Sequence, residues 1–143
     1  MATVAQILRS KSSPAVHMIA PSASVYDAVK LMADENIGAV LVGEGDKIVG
    51  IFTERDYARK IVLMSKSSKE TPVREAMTSQ VRYVGPEQTS EVCMALMTEN
   101  RLRHLPVMDQ GKLLGLVSIG DLVKDVISEQ KYMIEQLEQY IAR

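Results

Sequence analysis

A stretch of seven residues that occurs twice sets the terms for any fold this chain can adopt. Gly50-Ile51-Phe52-Thr53-Glu54-Arg55-Asp56 returns 65 positions later as Gly115-Leu116-Val117-Ser118-Ile119-Gly120-Asp121. Each copy reads glycine, two apolar residues, a hydroxyl residue, two variable residues and aspartate. An apolar pair that gives way to a hydroxyl and then a carboxylate is how a buried strand hands over to a helix. The oxygens then gather at a helix N-terminus, where phosphate and sugar groups are favoured. Thr53 with Asp56, and Ser118 with Asp121, also fit a capping box, in which the two side chains satisfy only the helix's own orphan N–H groups. A capping box usually carries Glu or Gln at its third position. The shorter Asp in both copies leaves a second reading open, in which its two oxygens accept both hydroxyls of a ribose diol.

The duplication extends well beyond the motif. Val81 to Val84 matches Val16 to Ile19, Pro86 matches Pro21, and Thr89 matches Ser24. Leu96-Met97 matches Leu31-Met32, Val107 matches Val42, and Lys112 matches Lys47, all without a gap. The chain is a tandem pair of strand-helix-strand-strand-helix units. With about 60 residues each, neither copy makes more than a marginal core alone, so the two are expected to pack sheet to sheet with pseudo-twofold symmetry.

Within copy one, Val16 to Ile19 reads as a brief strand and Ser24 as an N-cap. Helix is expected from Val25 to about Glu35, with Val25, Ala28, Val29 and Met32 on one face. Strands Ala39 to Val42 and Ile48 to Phe52 flank Gly43-Glu44-Gly45-Asp46-Lys47, a hairpin turn. A helix follows Thr53 and fades near Ser65. Val4, Ile7 and Leu8 mark a short N-terminal helix that ends in the linker Ser10 to Pro14. The expected divisions are residues 1–13 for N-terminal helix and linker, 14–65 for the first repeat, 66–128 for a polar linker and the second repeat, and 129–143 for a C-terminal helical extension. In the second repeat, Val92-Cys93-Met94-Ala95-Leu96-Met97 lacks a polar break, so its helix should bury more than one face, the second against another copy of the chain or, alternatively, between the two repeats. The final helix keeps a three-four apolar spacing through Met133, Ile134, Leu137 and Ile141. It either packs with the N-terminal helix or pairs between subunits.

Composition narrows the function. At 143 residues, 46% hydrophobic, the chain is globular rather than disordered. A net charge of -1 and a pI near 6.1 give no basis for binding nucleic acid. The lone Cys93 forms no internal disulfide or zinc set and, inside an apolar run, reads as a core residue. No stretch reaches the roughly 18 apolar residues of a membrane span, and no leader is evident, so a cytoplasmic location is expected. No catalytic constellation, phosphate loop or metal spacing is present, which leaves a binding module and no expected metal.

The duplicated motif, with Arg103-His104-Leu105-Pro106-Val107, resembles a pair of CBS domains, the tandem called a Bateman module, in its stand-alone bacterial form. The resemblance covers roughly residues 9 to 128. It implies an α+β (α/β) fold of two βαββα repeats with flanking helices, homodimers, and adenosyl ligands in clefts between repeats. AMP is the leading ligand, with ADP, ATP, NAD or S-adenosylmethionine as others. Carried over, one cleft combines Thr53, Arg55 and Asp56 with Arg103 and His104, and the other combines Ser118 and Asp121 with Gly38, Ala39 and Val40. The aspartates would take ribose hydroxyls, Thr53 and Ser118 ribose or phosphate, and Arg55, Arg103 and His104 phosphate. The first strands, around His17 and Arg82, would line the purine mostly through backbone. His17 also reads as a structural residue, and Glu54 as solvent-facing. Because Gly38-Ala39 and Ile119-Gly120 replace the basic residues in the second cleft, the first is expected to take the phosphate-rich ligand. The functional expectation is a nucleotide sensor that signals to a downstream protein, against a ligand-independent dimeric scaffold or, more remotely, an enzyme acting on nucleotides.

Overall fold

The computed structural model describes residues 2–11, 16–45 and 47–142; the last three residues of the expected Ser10–Pro14 linker, Asp46 of the hairpin turn and Arg143 lie outside them. The protein is mixed α and β and divides into two compact units, one of Ala15–Arg82 and one combining Met1–Pro14 with Tyr83–Arg143. They are called here the first and second units.

In the first unit β1 (Met18–Ile19), β2 (Ala39–Glu44) and β3 (Lys47–Thr53) form a sheet in that order, β1 parallel and β3 antiparallel to β2. Residues Ala39 to Gly43 of β2 are all buried, the continuous apolar run of a central strand covered on both faces. Helix α2 (Val25–Glu35) starts where Ser24 Oγ accepts from Asp27 N and stops at Asn36, whose left-handed φ of 55° suits its residue type. It presses Val25, Ala28 and Met32 onto Val40, Val42 and Phe52, with Val29 partly buried beside them. After Thr53 the chain makes one α turn, α3 (Glu54–Asp56), then widens into a π-helical segment over Tyr57–Val62. The regular helix expected there is therefore interrupted, as π segments often interrupt helices at functional sites.

The second unit repeats the plan. Helix α4 (Ser90–Asn100) packs on the hairpin of β4 (His104–Asp109) and β5 (Lys112–Ser118), and α5 (Ile119–Ile141) follows directly. The expected strand at Val81 to Val84 shrinks to a single parallel bridge between Val84 and Val107, and its counterpart Val16 to Ile19 is a strand only at Met18–Ile19. Helix α4 buries Ser90, Cys93 and Met97 and leaves Val92 exposed, so within this unit it covers one face, not two. Cys93 is a free core thiol whose pKa is pushed up by burial. The first turns of α5 bury Leu122, while Met133, Ile134, Leu137 and Ile141 are more than half exposed.

Each unit is completed by an arm that precedes the other copy of the repeat. Helix α1 (Val4–Ser10) belongs to the second unit, where Val4 N donates to Gln88 O and Ala5 N to Pro86 O. In the first unit Val73 N donates to Ala23 O and Arg74 N to Pro21 O, the same contacts 65 positions earlier on the acceptor side. The arms themselves are offset by 69 positions, Val4 to Val73, so an ungapped comparison misses them. The expected division after residue 65 accordingly falls inside one compact unit: residues 66–82 fold back on copy one, with Tyr26 N donating to Ser68 O and Val25 N to Thr71 O.

The arms explain the motif glycines. A Cβ on Gly50 would run into the Met77 side chain and come within 3.0 Å of the Thr78 carbonyl oxygen. On Gly115 it would meet only the Leu8 side-chain end, at 2.8 Å. Backbone cannot retreat as a leucine methyl can. Gly50→Ala is therefore expected to cost about 1–3 kcal/mol and Gly115→Ala distinctly less, measured by urea unfolding of the two variants. Equal losses would contradict this account of the arms.

Candidate functional site

In each unit the residue before the central strand, the motif hydroxyl and the motif aspartate converge on one helix start. In the first unit the backbone of Thr53 is extended, so its Oγ1 can accept from Asp56 N at 3.1 Å. Asp56 Oδ2 turns back to accept from Thr53 N at 3.1 Å and Thr53 Oγ1 at 3.2 Å. Its Oδ1 accepts from Thr78 Oγ1 at 3.2 Å and pairs with Lys60 Nζ at 3.2 Å. Four donors saturate a carboxylate, which offers about four lone-pair sites. Asp56 is 9% exposed, a buried charge made tolerable by this full complement. The capping box is thus real in this copy, and with Thr53 Oγ1, Thr78 and Lys60 it engages both oxygens of the carboxylate.

The other expected residues of this unit take plainer places. Gly38 O accepts from Glu54 N at 3.1 Å, while Ala39 and Val40 pair with Thr53 and Phe52 and bury their side chains in the core. His17 O accepts from Leu41 N, and its ring Nε2 lies 3.6 Å from Glu35 Oε2. Arg55 and Arg82 are exposed, as is Glu54.

The second unit holds Ser118, Asp121, Arg103 and His104 together. Ser118 Oγ accepts from Asp121 N at 3.1 Å, and Asp121 Oδ2 accepts from Ser118 N at 2.8 Å. Lys11, just beyond α1, pairs with the same Oδ2 at 3.0 Å and donates to Leu116 O at 2.8 Å. These contacts all fall on Oδ2 and leave Oδ1 clear of them. Burial pushes the Asp121 carboxyl up, but the Ser118 backbone N–H, Lys11 and the Ser118 hydroxyl outweigh it and hold the pKa below its ordinary value. Arg103 is exposed and its carbonyl accepts from Ile119 N at 2.8 Å, the counterpart of Gly38. His104 pairs with Ser118 across the hairpin. Burial lowers its pKa, Asp121 opposes that, and Lys11 and Arg103 add to it. Arg103 and His104 therefore share a unit with Asp121, whereas Thr53, Arg55 and Asp56 belong to the other.

Four residues that shape these sites are absent from the sequence expectations: Lys11, Lys60, Thr78 and Asp125. Lys60 and Asp125 stand one turn after the motif aspartates and were open to inspection as i,i+4 neighbours. Lys11 and Thr78 come from the arms, whose different offset hides them. Among the described residues no three His, Cys, Asp or Glu side chains gather to hold a metal ion. Nor, among them, is any helix long and apolar enough to cross a membrane.

A family model described as the CBS domain matches residues 4–63 and 73–128. The chain belongs to the CBS-domain family. Both matches begin at the arm valines, Val4 and Val73, so the family repeat includes the arm. A solved CBS-domain protein of Burkholderia ambifaria, provisionally assigned to signal transduction, is 60% identical, with a TM-score of 0.87 over 90% of this chain and 96% of that one. The "CBS domain-containing protein CBSX3, mitochondrial" of Arabidopsis thaliana is 45% identical over 82% of this chain. The chain spans 60% of that relative's length. A hexameric CBS-CP12 protein from bloom-forming cyanobacteria is 31% identical, with a TM-score of 0.75 over 86% of this chain and 70% of that one.

Both shifted groups near the second motif titrate in the same sense. His104 and Asp121 have folded pKa values below their unfolded ones, so the unfolded chain binds more protons in acid. Their contributions are complete above the unfolded values, about 6.5 for His and 3.9 for Asp, and disappear as pH falls through the folded ones. Melting temperatures across pH 3–8 should show stability declining below about 6.5. His104→Gln should flatten the upper part of that decline and Asp121→Asn the lower part.

Proposed function

We propose that this CBS chain is a regulatory module that binds an adenine nucleotide at the motif helix starts and signals by a ligand-dependent change of arrangement. The observation that carries the reading is the partly buried Asp121 carboxylate, kept in its charged form by Ser118 and Lys11, in the same unit as Arg103, His104 and Ser118. An ionised carboxylate beside guanidinium and imidazole groups suits a ligand with sugar hydroxyls at one end and phosphate at the other. AMP is the leading ligand, with NAD, ADP, ATP and S-adenosylmethionine as the comparison set. No metal is required by this reading, and no chemical step is assigned to the chain.

A ligand changes the state of such a module only through different affinities for two arrangements. A downstream protein would read that difference. The same chain is proposed to work as a homodimer: Val92 on α4 and Val123, Ile127, Ile134, Leu137 and Ile141 on α5 are exposed apolar groups. On α5 they follow a heptad, with Ile127, Ile134 and Ile141 in one seam position and Val123, Gln130 and Leu137 in the other, a pattern suited to pairing with an identical helix. A ligand-independent dimeric scaffold is the second reading, favoured by the saturated carboxylate of Asp56 and the open stripe of α5.

Thermal unfolding with each nucleotide separates the two. Ligand at about 100 times its dissociation constant adds roughly 2.7 kcal/mol, several degrees for a chain of this size. The sensor reading expects that shift for at least one nucleotide, and the scaffold reading expects none.

A further inference from the structure

Helix α5 outruns the repeat it belongs to. The family match ends at residue 128, yet the helix continues to Ile141, and every described residue from Gln130 to Ala142 is exposed. Met133, Ile134, Leu137, Tyr140 and Ile141 are 55% to 79% exposed. A helical run this short draws little stability in water from its own hydrogen bonds and depends on packing of an apolar face. Here that face is bare.

The two flanks of the stripe differ in kind. Ile134 and Leu137 form the seam, Met133 and Tyr140 extend it on one side, and Lys131 and Glu138 line the other. An identical helix running parallel would lay each charged flank on the partner's apolar flank. Running antiparallel, it sets charge against charge and apolar against apolar. With Ile134 opposite the partner's Leu137, Lys131 meets the partner's Glu138 twice across the two-fold axis, and Met133 meets the partner's Tyr140. Gln130 then falls at the end of the overlap, where its amide keeps its water. A register one heptad longer would give Glu138 to the partner's Lys124, but it would set Lys131 against the partner's Lys131 and trap Gln130 opposite the partner's Ile134 in mid-seam. A buried amide without a partner is costly there. Charge complementarity and the single polar seam residue therefore select one orientation and one register. A lipid surface fits less well, because residues 129–142 carry three glutamates and one lysine, the wrong balance for anionic headgroups.

We infer that the part of α5 beyond the repeat clasps the same segment of a second copy, antiparallel, with Lys131 paired to Glu138 in both directions. The inference rests on the homodimer reading above and adds where and how the copies join. Because one uninterrupted helix runs from the Ser118–Asp121 corner to the clasp, a tilt at the corner is carried to the second copy.

Sedimentation equilibrium of the whole chain, with oxidation of cysteine variants, tests this. The expected result is a dimer whose dissociation constant rises about tenfold in Lys131→Glu and returns to within about threefold in Lys131→Glu/Glu138→Lys. Gln130→Cys/Ile141→Cys should form an interchain disulfide. Ile141→Cys alone should not, since in this register the two copies of that position lie roughly 16 Å apart along the axis at 1.5 Å per residue. Cys93 is buried and takes no part. All four substituted positions are exposed, so the variants should fold as the parent does. A disulfide in Ile141→Cys, or a dimer indifferent to Lys131→Glu, overturns the inference and leaves the homodimer reading standing. A chain that stays monomeric at every concentration overturns both and leaves the stripe to a different protein.

Discussion

The turn from strand to helix is held by an aspartate that bends back onto the residue capping its own helix. Thr53 N and Ser118 N each donate to the carboxylate three residues on, and each capping hydroxyl accepts from that aspartate's backbone N–H. This reciprocal pair fixes where β3 and β5 end and at what angle the next helix leaves. Gly38 O and Arg103 O then accept from the first helical residue, tying the neighbouring strand's entry to the same corner. With the corner fixed, the strand behind it can be wholly apolar and the motif glycine can lie flush beneath an arm.

Two corners with one geometry have acquired different electrostatics. Around Asp56 the donors are internal and complete, so the carboxylate is a structural anchor. Around Asp121 the backbone is the same, but the paired cation is Lys11 from the arm and a second carboxylate, Asp125, stands one turn away. Burial drags on both His104 and Asp121, yet they settle differently: the imidazole is pushed toward neutrality, while the carboxylate is kept ionised by Lys11 and Ser118.

Much of this fold was legible because it is written in local chemistry. Ser24 and the Val25, Ala28, Met32 spacing located α2 to its observed ends, and the hairpin followed from Gly43 and Gly45 between apolar runs. What escaped depends on long-range pairing or on geometry that periodicity does not record. Val81 to Val84 has the residues of a strand but meets its neighbour at one bridge only. The segment after Asp56 has a helical pattern that cannot distinguish α from π spacing. Residues 65–72 look like a polar linker, yet backbone groups there and in the residues that follow are spent on copy one, as the bonds of Ser68, Thr71 and Val73 show. At the candidate site the aspartates and hydroxyls were evident from the motif, and the lysine and threonine that saturate or spare them were not. Counting charges near a site says little until the partner of each charge is known.

The exchanged arms make the two halves of the polypeptide mutually indebted. Severed near residue 65, where the composition suggests a seam, the chain would yield fragments each holding the cover for the other's motif glycine and neither holding its own. Such pieces would regain their packing only by complementation, in one another's company. A break after Arg82 would instead leave the first unit whole and strip the second of α1 alone.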